Sequence, residues 1–141
     1  MSKIAHCACG SLRAEVSGEP RFIAACHCEA CQRRTGSVFN VSAYYPREQV
    51  RIEGPETIYA REGQDGRKVR NRFCPTCGTT LYWELDIFPG ILGIAVGAFF
   101  DPDFGAPTRS VFEQSKHRWV AFDHPIEHFS RTPAPGPQTR S

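Results

Sequence analysis

The residues in this chain that are best suited to chemistry are its seven cysteines, which fall into three clusters. They are Cys7, Cys9, Cys26, Cys28, Cys31, Cys74 and Cys77. An odd number of thiols in a reducing compartment favours metal ligation over disulfide pairing. Zinc takes four ligands in a closed structural site, whereas a catalytic site keeps one position for water or substrate. The seven cysteines therefore divide naturally into a closed group of four and an open group of three.

The group of four is predicted from the first and last clusters. Cys74 and Cys77 are followed by Gly78, a pattern typical of a zinc knuckle, in which glycine lets backbone amides approach the sulfurs. Cys7 and Cys9 would share one face of a strand, because strand side chains alternate, and the glycine after them permits a turn. The alternative for this first pair is two small buried residues without a metal. Two pairs from distant segments would together close one site.

The central cluster predicts the group of three. Cys26 and Cys28 would share a strand face, and Cys31 would return on the first turn of a short helix. The alternative is a second structural site, completed by His27 or His6. His27 alternates to the opposite strand face from its neighbours, which argues against it as the fourth ligand. We therefore expect an open position at this site.

Short strands, rather than long helices, are expected to position these cysteines, because Gly and Pro interrupt the sequence at short intervals. We predict an all-β fold, a single zinc-stabilised twisted β domain with one short helical turn at residues 29–35, ended by Gly36. Residues 97–107 are predicted to form a long loop. The predicted strands are residues 12–16, 22–26, 38–45, 50–53, 57–61, 68–73, 80–85, 91–96 and 110–112. Residues 62–67 are predicted to turn between two of these strands.

Length and composition place the chain among globular proteins. Its 141 residues suffice for one domain with an apolar core, which we predict over residues 1–131, followed by a disordered Pro-rich tail over residues 132–141. No apolar run approaches the roughly 20 residues that cross a bilayer, so no membrane partner is expected. A net charge of +2 disfavours nucleic acid as a partner. The first residues show no export signal, so we expect a cytoplasmic protein.

The residues around the cysteines also carry a family resemblance. Residues 26–37 read CHCEACQRRTGS, residues 72–79 read RFCPTCGT, and residues 115–120 read SKHRWV. Over roughly residues 4–122 the chain resembles the glutathione-dependent formaldehyde-activating enzyme family, which shares its domain with centromere protein V. Phe100 departs from the pattern, since an acidic residue is expected there before Asp101.

The resemblance implies a twisted all-β fold with two zinc ions per chain. It assigns a structural zinc to Cys7, Cys9, Cys74 and Cys77, and a zinc associated with activity to Cys26, Cys28 and Cys31. The implied activity is carbon–sulfur chemistry, the reversible joining of glutathione to formaldehyde to give S-hydroxymethylglutathione. The implied partners are therefore glutathione, or a similar small thiol, and a small aldehyde.

The chemistry expected at the open site agrees with this activity. A substrate thiol bound to zinc loses its proton, and three thiolate ligands favour a sulfur ligand over a hard oxygen. Arg33 and Arg34 follow the third cysteine and could pair with a glutathione carboxylate, although an exposed helix face is the alternative. A second candidate for anion binding is the alternating row Lys68, Arg70 and Arg72. The alternative is that this row is a solvent-exposed strand face without a ligand.

We therefore expect a zinc-dependent carbon–sulfur lyase or transferase that joins or cleaves a thiol–aldehyde adduct. A different class of function is also open. It is a non-catalytic, zinc-stabilised module that binds protein or nucleic acid. Ligand access at the three-cysteine site separates the two hypotheses.

Overall fold

The computed structural model describes residues 1–63 and 66–132, in which strands dominate and one α-helix occurs. The elements in chain order are β1 (Ser2–His6), β2 (Arg13–Ser17), β3 (Phe22–Cys26), α1 (Glu29–Thr35), β4 (Asn40–Pro46), β5 (Val50–Glu53), β6 (Thr57–Glu62), β7 (Lys68–Phe73), β8 (Thr80–Leu85), β9 (Ile91–Ala95), β10 (Arg109–Val111) and β11 (Glu127–His128). Three short 3-10 helices lie at Arg47–Gln49, Val96–Phe99 and Glu113–Ser115. The all-β fold with one short helix is thus confirmed.

The described residues divide into two compact units. The first unit contains residues 1–21 and 43–104, and the second contains residues 22–42 and the described residues from Gly105 onward. The four cysteines of the predicted closed site all lie in the first unit, and the three of the predicted open site all lie in the second. The single domain over residues 1–131 stays a prediction, and residues 133–141 of the predicted tail lie outside the described residues.

Two antiparallel arrangements of strands build the first unit. Strands β1, β2 and β5 form a three-stranded sheet in which Ala14 and Val16 face the core, as the alternation in β2 predicts. Strands β6, β7, β8 and β9 follow as an antiparallel meander. Leu81, Trp83 and Ile94 from this meander are buried. The hairpin of β6 and β7 is therefore confirmed, although residues 64 and 65 of its turn lie outside the described residues.

The second unit is built around β3. Its central residues Ile23, Ala24 and Ala25 are buried, and β10 pairs with it in parallel, placing Val111 opposite Cys26. Strand β11 in turn pairs in parallel with β10. Helix α1 follows β3 and ends at Gly36, whose φ of 74° lies in the left-handed region that favours glycine. The metal-ligand candidates of this unit therefore lie at the junction of β3 and α1.

Some predicted element boundaries need correction, and two strands were not predicted. The strand predicted from residue 38 begins at Asn40. Residues 97–107 are not all loop, because the 3-10 helix Val96–Phe99 follows β9 directly. Strands β1 and β11 were not predicted, and β11 is only two residues long, too short to show alternation. None of the helices among the described residues is long and apolar enough to span a membrane.

Candidate metal centres

Four sulfurs converge in the first unit. The Sγ atoms of Cys7, Cys9, Cys74 and Cys77 all lie within 4.8 Å of one another. The Sγ of Cys9 lies 3.7 Å from that of Cys7 and 3.7 Å from that of Cys74. A tetrahedral zinc with bonds of about 2.3 Å holds its sulfurs about 3.8 Å apart. The spacing and chemistry of this group fit a closed zinc site.

Two turns bring these sulfurs together. Strand β1 ends at His6, and the amide of Gly10 donates to the carbonyl of Cys7 at 3.0 Å. The prediction that Cys7 and Cys9 share a strand face is therefore wrong. Positions i and i+2 of a strand lie about 6.6 Å apart, which is too far for sulfurs that converge on one ion. Gly10, with a φ of 85°, permits the tighter turn.

The second turn follows a bulge. The register of β7 against β8 shifts between Arg72 and Phe73, immediately before Cys74. The amide of Gly78 donates to the carbonyl of Cys74 at 2.9 Å, and Gly78 has a φ of 79°. This turn matches the predicted zinc knuckle.

Hydrogen-bond donors surround the four sulfurs. The amide of Leu12 donates to the Sγ of Cys7 at 3.2 Å, and that of Thr76 donates to the Sγ of Cys74 at 3.4 Å. A hydrogen bond with the hydroxyl of Ser11, 3.3 Å away, lowers the pKa of Cys74 to about 7. Such bonds favour the thiolate form, which is the form that binds metal.

The hydroxyl of Thr79 has the same role at Cys77. Its Oγ1 lies 3.3 Å from the sulfur, and this hydrogen bond lowers the pKa of Cys77 to about 5. Sequence reasoning missed Ser11 and Thr79, although a signal was present. The tripeptides at residues 9–11 and 77–79 are both Cys-Gly followed by a hydroxyl residue.

Three further sulfurs converge in the second unit. Cys26 is the last residue of β3, Cys28 is the N-cap of α1, and Cys31 lies in its first turn. Their Sγ atoms lie within 4.8 Å of one another, and the amide of Cys31 donates to the Sγ of Cys28 at 3.4 Å. The expected return of Cys31 on a helical turn is confirmed. The shared strand face is not, because β3 ends before Cys28.

Crowding by neighbouring thiols and burial raise the pKa values of two of these cysteines, Cys26 and Cys31. The hydrogen bond with Cys28 raises the pKa of Cys26 well above its usual value, and burial adds to this rise. The hydrogen bond with Cys26 lowers the pKa of Cys31, but the bond with Cys28 and burial outweigh it and raise that pKa to about 11. A bound divalent cation reverses this preference by deprotonating its thiol ligands. The donor set therefore suits a metal ion.

Neither histidine considered as a fourth ligand joins the three sulfurs. His27 is fully buried, with its Nε2 2.8 Å from the Oγ of Ser110, and His6 lies in the other unit. Within residues 1–63 and 66–132, no His, Asp or Glu offers a ligand atom to this group. The open position at this group stays a prediction, which the grouping of three cysteines among the described residues supports.

The two candidate anion-binding groups differ in their surroundings. Arg33 is exposed and its Nε donates to the carboxylate of Glu29 at 2.7 Å. The half-buried Arg34 lies near enough to the three sulfurs that its positive charge lowers the pKa of Cys31. In the other group Arg70 pairs with Asp86 at 2.9 Å.

Arg72 belongs to a half-buried ion-pair network. It contacts the carboxylates of both Glu56 and Glu84, and Glu56 also accepts a hydrogen bond from the hydroxyl of Tyr82 at 2.6 Å. Two of the three cations in the candidate row, Arg70 and Arg72, therefore already have carboxylate partners. The positive charge of Arg34, by contrast, acts on Cys31 in the three-cysteine group.

Metal analysis provides a first prediction. The purified chain is expected to contain two zinc ions, because one group of four and one group of three cysteines each match a zinc donor set. Elemental analysis combined with thiol alkylation measures this. One ion per chain, with Cys26, Cys28 and Cys31 freely alkylated, would contradict the two-site assignment.

Comparisons with known proteins agree with this geometry. A family model described as "Glutathione-dependent formaldehyde-activating enzyme" matches residues 2–115. A Colletotrichum graminicola protein named "Putative glutathione-dependent formaldehyde-activating enzyme" is 27% identical over 117 residues, which are 77% of this chain. The chain spans 61% of the length of that relative.

A solved structure shares the fold. The crystal structure of a Rhodobacter sphaeroides protein matches 74% of this chain and 96% of its own, with a TM-score of 0.57 and 23% sequence identity. The family model covers more than half of the chain and includes all seven cysteines, in agreement with the resemblance seen in the sequence. The chain belongs to the glutathione-dependent formaldehyde-activating enzyme family.

Proposed function

We propose that this chain is a zinc-dependent carbon–sulfur lyase or transferase that joins or cleaves a glutathione–aldehyde adduct, as an S-hydroxymethylglutathione synthase does. The observation that carries the proposal is the convergence of Cys26, Cys28 and Cys31 within 4.8 Å, without a fourth protein ligand among the described residues. A purely structural site is expected to have four ligands. We place the protein in the cytoplasm, where thiols stay reduced.

The donor set supports a thiol substrate. Zinc bound to these cysteines would hold a substrate thiol as its thiolate, the nucleophilic form. Three thiolate donors reduce Lewis acidity, so a soft sulfur suits this set better than a carbonyl oxygen. In the adduct-forming direction the sulfur bonds to the aldehyde carbon. The carbonyl π pair moves to oxygen, and that oxygen takes up the proton that the thiol lost.

The second-unit residues keep the three ligands in place. Cys28 caps α1, and the Cys31 amide donates to its sulfur, so the cap links two ligands. Arg34 contributes a positive charge near Cys31, which offsets part of the negative charge of three thiolates. The family description and the name of the Colletotrichum graminicola relative support glutathione and formaldehyde as the substrates.

Exchange spectroscopy tests the proposed activity. Nuclear magnetic resonance exchange measurements follow the rate at which glutathione and formaldehyde interconvert with S-hydroxymethylglutathione. The metal-loaded chain is expected to raise the rate in proportion to its concentration. An unchanged rate at all concentrations would contradict the enzyme hypothesis and favour the binding-module hypothesis.

A substrate-recognition prediction concerns Arg33 and Arg34, which we propose bind a carboxylate of glutathione. The exposed ion pair of Arg33 with Glu29 is worth about 0–1 kcal/mol, so a substrate carboxylate can replace it. Charge-assisted hydrogen bonds are worth roughly 1.5–3 kcal/mol each. Glutathione should therefore bind about ten-fold or more tightly than mercaptoethanol, and alanine at both arginines should remove most of this difference.

Calorimetric titration of the wild type and the double variant with both thiols measures this difference. Arg51→Ala is a suitable control, since Arg51 is also exposed and paired with a glutamate but lies in the other unit. Equal affinities of the wild type for both thiols would remove glutathione as the natural ligand. A preference that survives the double substitution would place recognition elsewhere on the chain.

A further inference from the structure

Four hydrogen bonds hold His27, the residue between two of the proposed ligands. The amide of His27 donates to the carbonyl of Val111 at 3.1 Å, and its Nε2 lies 2.8 Å from the Oγ of Ser110. Its carbonyl accepts from the Oγ of Ser115 at 2.7 Å and from the Nε2 of Gln32 at 2.9 Å. Because His27 separates Cys26 from Cys28 by one residue, fixing its backbone fixes the relative positions of two sulfurs.

Most of these contacts come from residues 110–117, which we call the clamp segment. Within it, Phe112 adopts a φ of 56°, a left-handed conformation that is costly for a bulky side chain. Such strain persists only where surrounding contacts impose it, and it is concentrated at functional sites. Here the turn at Phe112 allows Ser110 and Ser115 to reach opposite ends of the same histidine.

Gln32 links the clamp segment to helix α1. It directly follows the proposed ligand Cys31, and its Nε2 donates to the carbonyl of Ser115 at 3.2 Å as well as to that of His27. Its Oε1 lies 3.2 Å from the Nε2 of His117. The side chain of Gln32 thus connects three parts of the site. It contacts the clamp segment and the backbone of His27, and its own backbone directly follows Cys31.

His27 also has a rigid environment. Its ring is fully buried and packs against Phe39 at 5.6 Å and against Phe122 at 6.2 Å between ring centroids. Aromatic packing of this kind restricts the ring, so the hydrogen bonds act on a side chain that has little freedom to rearrange. Small changes in the clamp segment are therefore expected to reach the ligands.

We propose that the clamp segment sets the metal affinity of the three-cysteine site, with Ser115 and Gln32 as positioning residues that act through the carbonyl of His27. The inference rests on the proposed function, because it takes this site to bind zinc. Groups outside the ligand set orient the ligands, and their loss typically lowers metal affinity about 10–100-fold. The two side chains make two of the four hydrogen bonds that hold His27.

Zinc competition with a chromophoric chelator tests the proposal without any activity assay. Ser115→Ala and Gln32→Leu should each lower the affinity of the zinc at the three-cysteine site about 10–100-fold, while the affinity of the zinc at the four-cysteine site stays unchanged. Ser115→Thr keeps the hydroxyl and should restore most of the wild-type affinity. Ser17→Ala, which removes an exposed hydroxyl in the first unit, should leave the affinity for both zinc ions unchanged.

The competing hypothesis is that these hydrogen bonds serve only folding. It predicts a lower melting temperature in Ser115→Ala with unchanged zinc affinity at both sites, and that result would overturn the proposal. A loss of affinity that Ser115→Thr does not restore would also overturn it, since the hydroxyl would not be responsible. A wild-type chain that binds one zinc would overturn the proposed function and this inference together.

Discussion

Cys77→Ser is expected to leave the chain largely unfolded. Structural zinc sites in small modules contribute on the order of 10–16 kcal/mol, which is comparable with the whole stability of a domain, roughly 5–15 kcal/mol. Serine keeps nearly the same volume but replaces a soft thiolate ligand with a hydroxyl. Because Cys77 is exposed, the substitution leaves no cavity in the core. Loss of the metal ligand is therefore the physical cause of the expected unfolding.

Circular dichroism and thermal unfolding of the purified variant measure this effect. Thr76→Ser is a matched control, because Thr76 is an exposed neighbour that contacts the cluster through its backbone amide alone. The control should unfold at the wild-type temperature. A Cys77→Ser protein that also unfolds at that temperature would show that the four-cysteine group does not support the fold.

Cys31→Ser is expected to give the opposite combination, a folded protein without activity. The substitution removes one of three ligands in the second unit and leaves the four-cysteine group intact. Loss of a residue that merely orients a ligand costs about 10–100-fold, so loss of a ligand itself should cost at least about 100-fold in adduct formation. The zinc content should fall from two ions to one.

Exchange kinetics, zinc content and melting temperature together test this prediction. Ala30→Ser, on the same helix but without a ligand role, is the control and should keep both ions and the wild-type rate. If Cys31→Ser and Cys77→Ser lost equal thermal stability, the three-cysteine site would also be structural. Full activity in Cys31→Ser would exclude this cysteine from the active site.

Local signals made much of the fold predictable. Strand β3, helix α1 and its glycine stop were predicted at their observed bounds, because an apolar run, a helical turn and a left-handed glycine are all short-range features. The grouping of the cysteines followed from their spacing and from the number of ligands that zinc takes. The structure brings together the same group of four and the same group of three cysteines. The tight spacing within each cluster left few other combinations.

Local signals failed where the chain departs from regular strands. Cys7 and Cys9 were predicted on a strand face because spacing of two fits a strand, yet the turn closed by Gly10 brings their sulfurs closer than a strand allows. The cap at Cys28 was missed for the same reason, since an extended residue preceding a helix resembles the end of a strand. The spacing of side chains along the sequence does not by itself distinguish a strand from a tight turn or from a helix cap.

Long-range contacts were outside the reach of sequence reasoning. Ser110 and Ser115 lie 83 and 88 residues from His27, and nothing in their neighbourhood marks them as partners of a buried histidine. Their role follows only from the parallel pairing of β10 with β3 and from the left-handed turn at Phe112. Such positions can be identified only when the pairing of strands that are distant in sequence is known.

The central claim is that the three-cysteine site binds the sulfur of a thiol substrate. Zinc-edge X-ray absorption of the two-zinc protein, with and without glutathione, measures the number of sulfur ligands per zinc directly. Seven cysteines shared by two ions give a mean of about 3.5 sulfurs, and a fourth sulfur at the open site should raise this mean to about 4. A mean that stays at about 3.5 under saturating glutathione would contradict the claim.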